Sequence, residues 1–144
     1  MSSENIVSTF IDNGDETVTS KENGLMWVKT DSMNDLKKWV NYQDSVDYVR
    51  ELNSKNFAGY NDWRLPMKDE MATLYHQHLE NTDQFGKTIH ISDKFAPGGG
   101  FSIIAQQVPG RMRTWVFNLR DGQFSHPEGL WTITEAARAV RTIL

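Results

Sequence analysis

Three arginines lie around one strand-like segment of an otherwise acidic chain. Arg111 and Arg113 precede the segment that contains Trp115, and Arg120 follows it. The 144 residues include 15 Lys and Arg against 19 Asp and Glu, which gives a net charge of −4. Such a cluster can pair with the anionic groups of a partner, although an ordinary solvated strand face has the same composition. A duplex-DNA binder normally carries an overall basic excess, so we expect no nucleic-acid partner.

The residue types that usually carry catalysis form no recognisable motif. The absence of cysteine excludes thiol catalysis, disulfides and thiolate metal sites. The nucleophile motif Gly-x-Ser-x-Gly, the phosphate-binding Walker A motif and Gly-x-Gly-x-x-Gly are absent as well. We therefore predict a non-enzymatic protein with no catalytic residue and no cofactor.

Two groups of residues resemble metal ligands by type but not by spacing. His76 and His78 are two apart, so on a helix their side chains would point about 200° from each other. The string Asp12-Asn13-Gly14-Asp15 is rich in oxygen, but Asn23 stands where a calcium loop needs a bidentate Glu. We interpret the acidic string as a turn and predict no metal site.

Hydrophobic periodicity predicts two helices. The first has an apolar stripe at spacings of four, three and three, and Asn41 is placed to cap its start. The stripe consists of Tyr42, Val46, Val49 and Leu52. The second helix is predicted from about Lys68 to Glu80, after Pro66.

Extended segments flank the helices on both sides. Short strands and turns are predicted over residues 6–28, and further strands at 101–104, 115–119 and 139–144. Gly98–Gly100 are interpreted as a flexible connecting loop. Together these elements predict one α+β domain over residues 1–144. Its core is expected to contain Trp27, Trp63 and Trp115.

Three strings occur in an order that resembles a known family. The first is Asp12–Thr19 followed by Asn23-Gly24-Leu25-Met26-Trp27. The second is Ala58–Pro66, which ends in Asp62-Trp63-Arg64-Leu65-Pro66. The third is Arg138-Ala139-Val140-Arg141. In this order they resemble the Lcl C-terminal domain family, named for a bacterial collagen-like adhesin, over about residues 10–142. The resemblance implies a C-type-lectin-like fold, with two helices packed on a twisted, mostly antiparallel sheet. A long irregular loop region would carry the ligand site.

The sequence also departs from the family pattern. Met67 stands where a capping Thr is common, so the capping box with Glu70 should be lost. Phe101-Ser102-Ile103 replaces a Trp-Ser-Ser string, and Ala139 stands where a Cys is usual. None of the four prolines belongs to a Glu-Pro-Asn or Gln-Pro-Asp string, so calcium-dependent sugar binding is not expected. Within Asp62-Trp63-Arg64, we expect Trp63 to fill the core and Arg64 to pair with a carboxylate or cap carbonyls. The alternative places Arg64 on an acidic ligand.

The loop side implied by the resemblance corresponds to about residues 95–113 together with 121–131. Its candidate partner-binding residues are Phe101, Gln106, Gln107, Arg111, Arg113 and Trp131. Phe101 and Trp131 have an alternative role, which is to fill the core beneath the loops. If the loop side is not the interface, the exposed face of the first helix around Asp44, Asp47 and Glu51 is the next candidate.

The expected function is that of a cytoplasmic protein-interaction subunit or adaptor. Residues 1–5 show no cationic or apolar start of a secretory signal, and no apolar run approaches the ~20 residues of a membrane helix. The alternative is a calcium-independent glycan-binding module of an exported, adhesin-type protein, because the adhesin relatives are associated with sulfated polysaccharides. The oligomeric state is open at this point.

Overall fold

Strands from both ends of the chain form one sheet. The computed structural model describes residues 8–127, 129–130 and 134–143. Its four-stranded antiparallel sheet has the order β1-β2-β3-β9. The strands are β1 (Phe10–Asp12), β2 (Thr17–Ser20), β3 (Leu25–Val28) and β9 (Val140–Thr142). The predicted strands near both termini are thus confirmed, and β9 brings the two ends of the described chain together.

Two smaller antiparallel sheets follow in the second half of the chain. A three-stranded sheet has the order β6-β7-β8, and a two-stranded hairpin pairs β4 with β5. The strands are β4 (Asn81–Thr82), β5 (Thr88–Ile89), β6 (Ser102–Gln107), β7 (Thr114–Asn118) and β8 (Phe124–Ser125). The register of β6 against β7 shifts between Ile104 and Gln107, which marks an irregularity near the turn between them.

The first predicted helix is confirmed as α2 (Tyr42–Ser54). The Asn41 side chain accepts a hydrogen bond of 2.8 Å from the Asp44 N–H, so the predicted cap is present. Val49 and Leu52 are buried, and they attach the helix to the core. A short helix that periodicity did not predict, α1 (Ser32–Leu36), precedes it and is capped by Asp31.

The second predicted helix is much shorter than expected, since α3 covers only Lys68–Ala72. After Ala72 the backbone makes tighter turns, and the His76 N–H donates to the carbonyl of His90 at 3.1 Å. This tertiary hydrogen bond takes the donor that a continuing helix would use. The capping box is only half lost, because the Glu70 carboxylate still accepts from the Met67 N–H at 2.9 Å.

Two clusters of buried apolar side chains fill the interior. Trp27 belongs to one and Trp63 to the other, with 0% and 3% of their surfaces exposed. The prediction for Trp115 was wrong, because this residue is only partly buried. Its indole stacks on the His126 imidazole at a centroid distance of 4.1 Å, and the Lys68 ammonium lies 3.9 Å from its ring centroid. Trp115 therefore covers an edge of the core instead of filling it.

The glycine run is a close-packed crossing and not a flexible connector. Gly99 and Gly100 are both buried. A Cβ atom on Gly99 would lie 2.8 Å from Asp31 Oδ2, and one on Gly100 would lie 2.5 Å from the Ala136 Cβ. The Gly100 N–H also donates to Asp31 Oδ2 at 2.8 Å. Glycine is needed here for space, which local turn chemistry cannot indicate.

Replacing Gly100 by Ala should therefore destabilise the protein by roughly 1–3 kcal/mol through overpacking. The free energy of urea unfolding provides the measurement. The double variant Gly100→Ala, Ala136→Gly should recover part of the loss, because it removes the methyl group that collides. A Gly100→Ala variant as stable as the wild type would mean that the crossing is loose.

Candidate functional site

The structure divides the predicted partner-binding residues between the two ends of β6. Gln107, Arg111 and Arg113 lie at the turn that joins β6 to β7, whereas Phe101 precedes the other end of the strand. The six residues of β6 separate these ends by about 20 Å at the usual strand rise. Trp131 lies outside the described residues. The described members of the predicted set therefore lie at two ends of one strand.

Gln106 is used by the scaffold. Its side-chain amide donates to the Leu65 carbonyl at 2.9 Å, and its backbone N–H donates to the Pro66 carbonyl at the same distance. These two bonds attach β6 to the segment that leads into α3. The amide therefore has a structural partner within the protein.

Phe101 packs against Trp39 in an edge-to-face contact at 5.3 Å. The Arg120 guanidinium lies 3.9 Å from the Phe101 ring centroid and donates to Asp83 Oδ2 at 2.6 and 2.8 Å. This arrangement agrees with the alternative role in which Phe101 packs beneath the loops. It also removes Arg120 from the arginine cluster predicted from sequence.

The turn between β6 and β7 is held by hydrogen bonds on both sides. The Gln107 amide donates to the Arg111 carbonyl at 2.7 Å, and the Gln107 N–H donates to the Tyr42 hydroxyl at 3.0 Å. The Arg111 N–H in turn donates to the Val108 carbonyl at 3.0 Å. Arg111 is exposed, and half-buried Arg113 lies beside His126. These bonds fix the backbone of the turn.

A groove runs from this turn along the start of α2, and we call it the hairpin groove. Its cationic end is a depression of about 450 Å³, lined by Gly110, Arg111, Met112, Arg113 and Gly129. Its middle has a volume of about 220 Å³ and is lined by Tyr42, Gln43, Gln107, Met112 and Leu130. Its far end, about 190 Å³, is lined by Tyr42, Val46, Val49, Arg64, Leu65 and Gln106. Met112 lines both the cationic end and the middle, and Tyr42 lines both the middle and the far end, so the three sections lie next to one another.

Sequence reasoning did not name the apolar and aromatic residues that line the middle of the groove, which are Tyr42, Met112 and Leu130. Tyr42 was assigned to the buried stripe of the first helix, yet its hydroxyl reaches Gln107 in β6. The sequence offered one signal for Met112, since an apolar side chain between two arginines is unusual. In the structure, Met112 is 57% exposed. Leu130 lies within the predicted loop stretch 121–131 but was not named as a candidate residue.

Arg64 at the far end of the groove pairs with a carboxylate, as predicted. Its guanidinium makes two parallel contacts of 2.7 and 2.8 Å with the Glu70 carboxylate and donates to the Thr142 hydroxyl at 2.9 Å. Burial acts to raise the pKa of Glu70, but Arg64 and the Met67 N–H outweigh it and hold that pKa below its ordinary value. Arg64 thus stabilises the scaffold and leaves Arg111 as the exposed cation of the groove.

Asp83 introduces a dependence of stability on pH. Burial acts to raise its pKa, but Arg120 and the backbone N–H groups of Lys87 and Phe85 together lower it below the ordinary value of 3.8. A lowered pKa favours folding while the carboxyl is ionised. The stabilisation is therefore complete above the unfolded-state pKa and is lost as the pH falls through the lower folded-state value.

As the pH is lowered from about 5 to about 2, we expect the free energy of unfolding of the wild type to fall more steeply than that of Asp83→Asn. This range spans the ordinary pKa of an aspartate and the lower pKa of folded Asp83. Urea unfolding at several pH values measures the slope. Asp93→Asn is a suitable control, because the Asp93 side chain is 80% exposed. Equal slopes for the wild type and Asp83→Asn would contradict this assignment.

The histidine pair has a different geometry from the one predicted. His76 and His78 do not lie on a helix, and their rings are 5.1 Å apart. His76 Nδ1 accepts a hydrogen bond from the His78 N–H at 3.1 Å. Within residues 8–127, 129–130 and 134–143, no three His, Cys, Asp or Glu side chains are placed to share a metal ion.

The acidic string near the N-terminus is a turn, as predicted. Asp12 Oδ1 accepts from the Gly14 N–H at 3.0 Å, and Asp15 Oδ1 accepts from the Thr17 N–H at 3.2 Å. The second oxygen of Asp12 pairs with the Lys29 ammonium at 2.9 Å. This hydrogen bond to Lys29 holds the pKa of Asp12 below its ordinary value.

The described structure belongs to the α+β class, with few helices and several small antiparallel sheets. The sequence model of the Lcl C-terminal domain matches residues 16–141, and the chain belongs to that family. Membership indicates a binding or adhesin-type module. A comparison with curated proteins gave no match. No helix in the described part of the chain is long and apolar enough to cross a membrane.

Proposed function

We propose that this protein is a non-enzymatic binding module with a C-type-lectin-like arrangement, and that its hairpin groove holds an extended segment of a protein partner. The single observation that carries the proposal is that depressions with apolar lining lie next to a cationic one. Family membership in a binding-type domain supports it.

The apolar section provides the contact area. Tyr42, Leu130 and the exposed Met112 line its middle, and Val46 continues the surface along α2. Tyrosine and methionine are enriched at protein interfaces, where methionine adapts to different partner surfaces. A partner segment would therefore place apolar side chains here.

Charge gives the groove a direction. Arg111 and Arg113 lie at one end, whereas Asp44, Asp47 and Glu51 are exposed on the neighbouring face of α2. An acidic residue of the partner is attracted by the first end and repelled near the second. We therefore expect a segment whose apolar residues lie along α2 and whose carboxylates lie at the arginines.

The experiment is a pull-down of the native partner from the source cytoplasm, followed by titration at low and high salt. The double variant Arg111→Glu, Arg113→Glu should bind at least about tenfold more weakly at low salt, and the difference should shrink at high salt. Lys21→Glu, Lys94→Glu makes the same charge change at exposed positions outside the groove and should leave the affinity unchanged. Unchanged low-salt affinity of the arginine variant would refute the proposal and move the interface to the acidic face of α2.

A second candidate function is calcium-independent binding of a sulfated polysaccharide by an exported protein. It is favoured by the shape of the cationic end, which is a shallow, exposed depression between two glycines and two arginines. Titration with heparin fragments in EDTA, using the same variants, tests this candidate. Cell fractionation separates the two, because the protein-partner proposal places the chain in the cytoplasm and the glycan proposal requires export.

A further inference from the structure

The middle of the hairpin groove contains two hydrogen-bonding side chains, Gln107 and Tyr42, that are in contact with each other. Both residues are half-buried, and the Gln107 N–H donates to the Tyr42 hydroxyl oxygen at 3.0 Å. The apolar side chains of Met112 and Leu130 line the same section. The hydrogen-bonding groups that Gln107 and Tyr42 do not use within the protein therefore decide which polar group of a partner fits here.

One half of the Gln107 amide is used within the protein, and the other half is not. Its Nε2 donates to the Arg111 carbonyl at 2.7 Å. Because a carbonyl only accepts, this bond distinguishes the nitrogen of the amide from its oxygen. The Oε1 atom accepts no hydrogen bond from the described residues, and it is not sealed from solvent. The groove thus presents a carbonyl-type acceptor that a partner can reach.

The Tyr42 hydroxyl provides the complementary group. Its oxygen accepts from the Gln107 N–H, and its own O–H has no acceptor among the described residues. A phenolic hydroxyl donates one hydrogen bond while it accepts another. The middle of the groove therefore holds one donor and one acceptor on neighbouring side chains.

Gln43 lines the same section but is less suited to bind a partner. It is exposed, and its Nε2 donates to Asp47 Oδ1 along the surface of α2 at 3.1 Å. Water competes strongly for an exposed acceptor, whereas a half-buried acceptor in a less polar setting forms a stronger bond with a partner. This comparison favours Gln107 as the acceptor.

We propose that Gln107 and Tyr42 bind the main chain of the partner segment, an inference that rests on the proposed function of the hairpin groove. Gln107 Oε1 accepts from a peptide N–H, and the Tyr42 O–H donates to a peptide carbonyl. An extended segment exposes both groups, and every residue except proline provides the N–H. Gln107 is thus a specificity-determining residue that tolerates many side chains at one partner position but rejects proline there. Arg111 favours an acidic residue nearby.

The probe is obtained by selecting a phage-displayed library of random heptapeptides on the full chain. The enriched peptides should carry an acidic residue and should lack proline at one fixed position relative to it. In a synthetic copy of an enriched peptide, an ester oxygen then replaces each amide N–H in turn. Replacement at the proline-free position should weaken binding about fivefold, as expected for the loss of one net hydrogen bond. This scan uses the wild-type protein, so its result does not depend on whether a variant folds.

Variants then assign the acceptor. Gln107→Met removes Oε1, so the amide and ester forms of the peptide should bind this variant equally well. Gln43→Met is the matched control, because it removes an amide from the same section, and it should keep the difference of about fivefold. Urea unfolding checks that both variants fold, since Gln107→Met also loses the bond to the Arg111 carbonyl.

The outcomes separate this inference from the proposed function. Peptides that depend on Arg111 and Arg113 but have no ester-sensitive position would overturn main-chain binding and leave the proposed function standing. An ester effect that persists in Gln107→Met, or that disappears in Gln43→Met, would overturn the assignment to Gln107. If no enriched peptide loses affinity in Arg111→Glu, Arg113→Glu, the proposed function itself is refuted, and this inference with it.

Discussion

Replacing Asp31 by Ala should lower the free energy of unfolding by about 3–5 kcal/mol, since it leaves a buried guanidinium without its carboxylate. Asp31 and Arg138 are both fully buried, and Arg138 Nη2 lies 3.2 Å from Asp31 Oδ2. The same carboxylate caps α1 through the Asn34 N–H and accepts from the Gly100 N–H. Urea unfolding followed by tryptophan fluorescence provides the measurement.

A double-mutant cycle isolates the pair itself. Asp31→Asn and Arg138→Met, made singly and together, should show a coupling energy of at least about 0.5 kcal/mol. The control is Asp47→Ala, which breaks an exposed pair with Arg50 and should change stability by at most about 0.5 kcal/mol. If Asp31→Ala were as mild as this control, the buried pair would have no role in holding the glycine crossing.

The second large effect is expected for Trp63→Ala, at roughly 3–5 kcal/mol from lost burial and a cavity. Only 3% of Trp63 is exposed, and its ring makes edge contacts with Phe57 and Tyr60. The indole N–H also donates to the Phe57 carbonyl at 3.0 Å, and this carbonyl would lose that partner. Thermal unfolding and urea unfolding should both show this decrease in stability.

Trp115→Ala is the matched control for this variant, because it removes the same side chain from a half-buried position. Trp115→Ala should lower the free energy of unfolding by clearly less than Trp63→Ala does, although the Trp115 variant also loses the contact with the Lys68 ammonium. Equal destabilisation by Trp63→Ala and Trp115→Ala would show that the contribution of a tryptophan to stability does not follow its burial here. A Trp63→Ala variant that melts within a degree or two of the wild type would contradict its assignment to the core.

Local sequence patterns were sufficient for α2 and for the turn at Asp12–Asp15, whose stabilising contacts are close along the chain, but not for the short helix α1. The stripe from Tyr42 to Leu52 and the Asn41 cap identified α2, because a helix is closed by bonds between residues four apart. The turn at Asp12–Asp15 was recognised for the same reason, since its side chains bond two residues onward. Burial of Trp27 and Trp63 also followed from residue type.

Only the tertiary structure decided the features that depend on distant residues. The Asp31–Arg138 pair joins positions 107 residues apart, and the end of α3 depends on the carbonyl of His90. Gly100 must be glycine because Ala136 lies where its Cβ would be, which no turn propensity encodes. The hairpin groove likewise combines Tyr42, Met112 and Leu130 from separate segments. Residue type and spacing therefore determined α2, the terminal strands and the family. The folded chain decided where α3 ends and which side chains share a surface, because packing depends on contacts that periodicity does not describe.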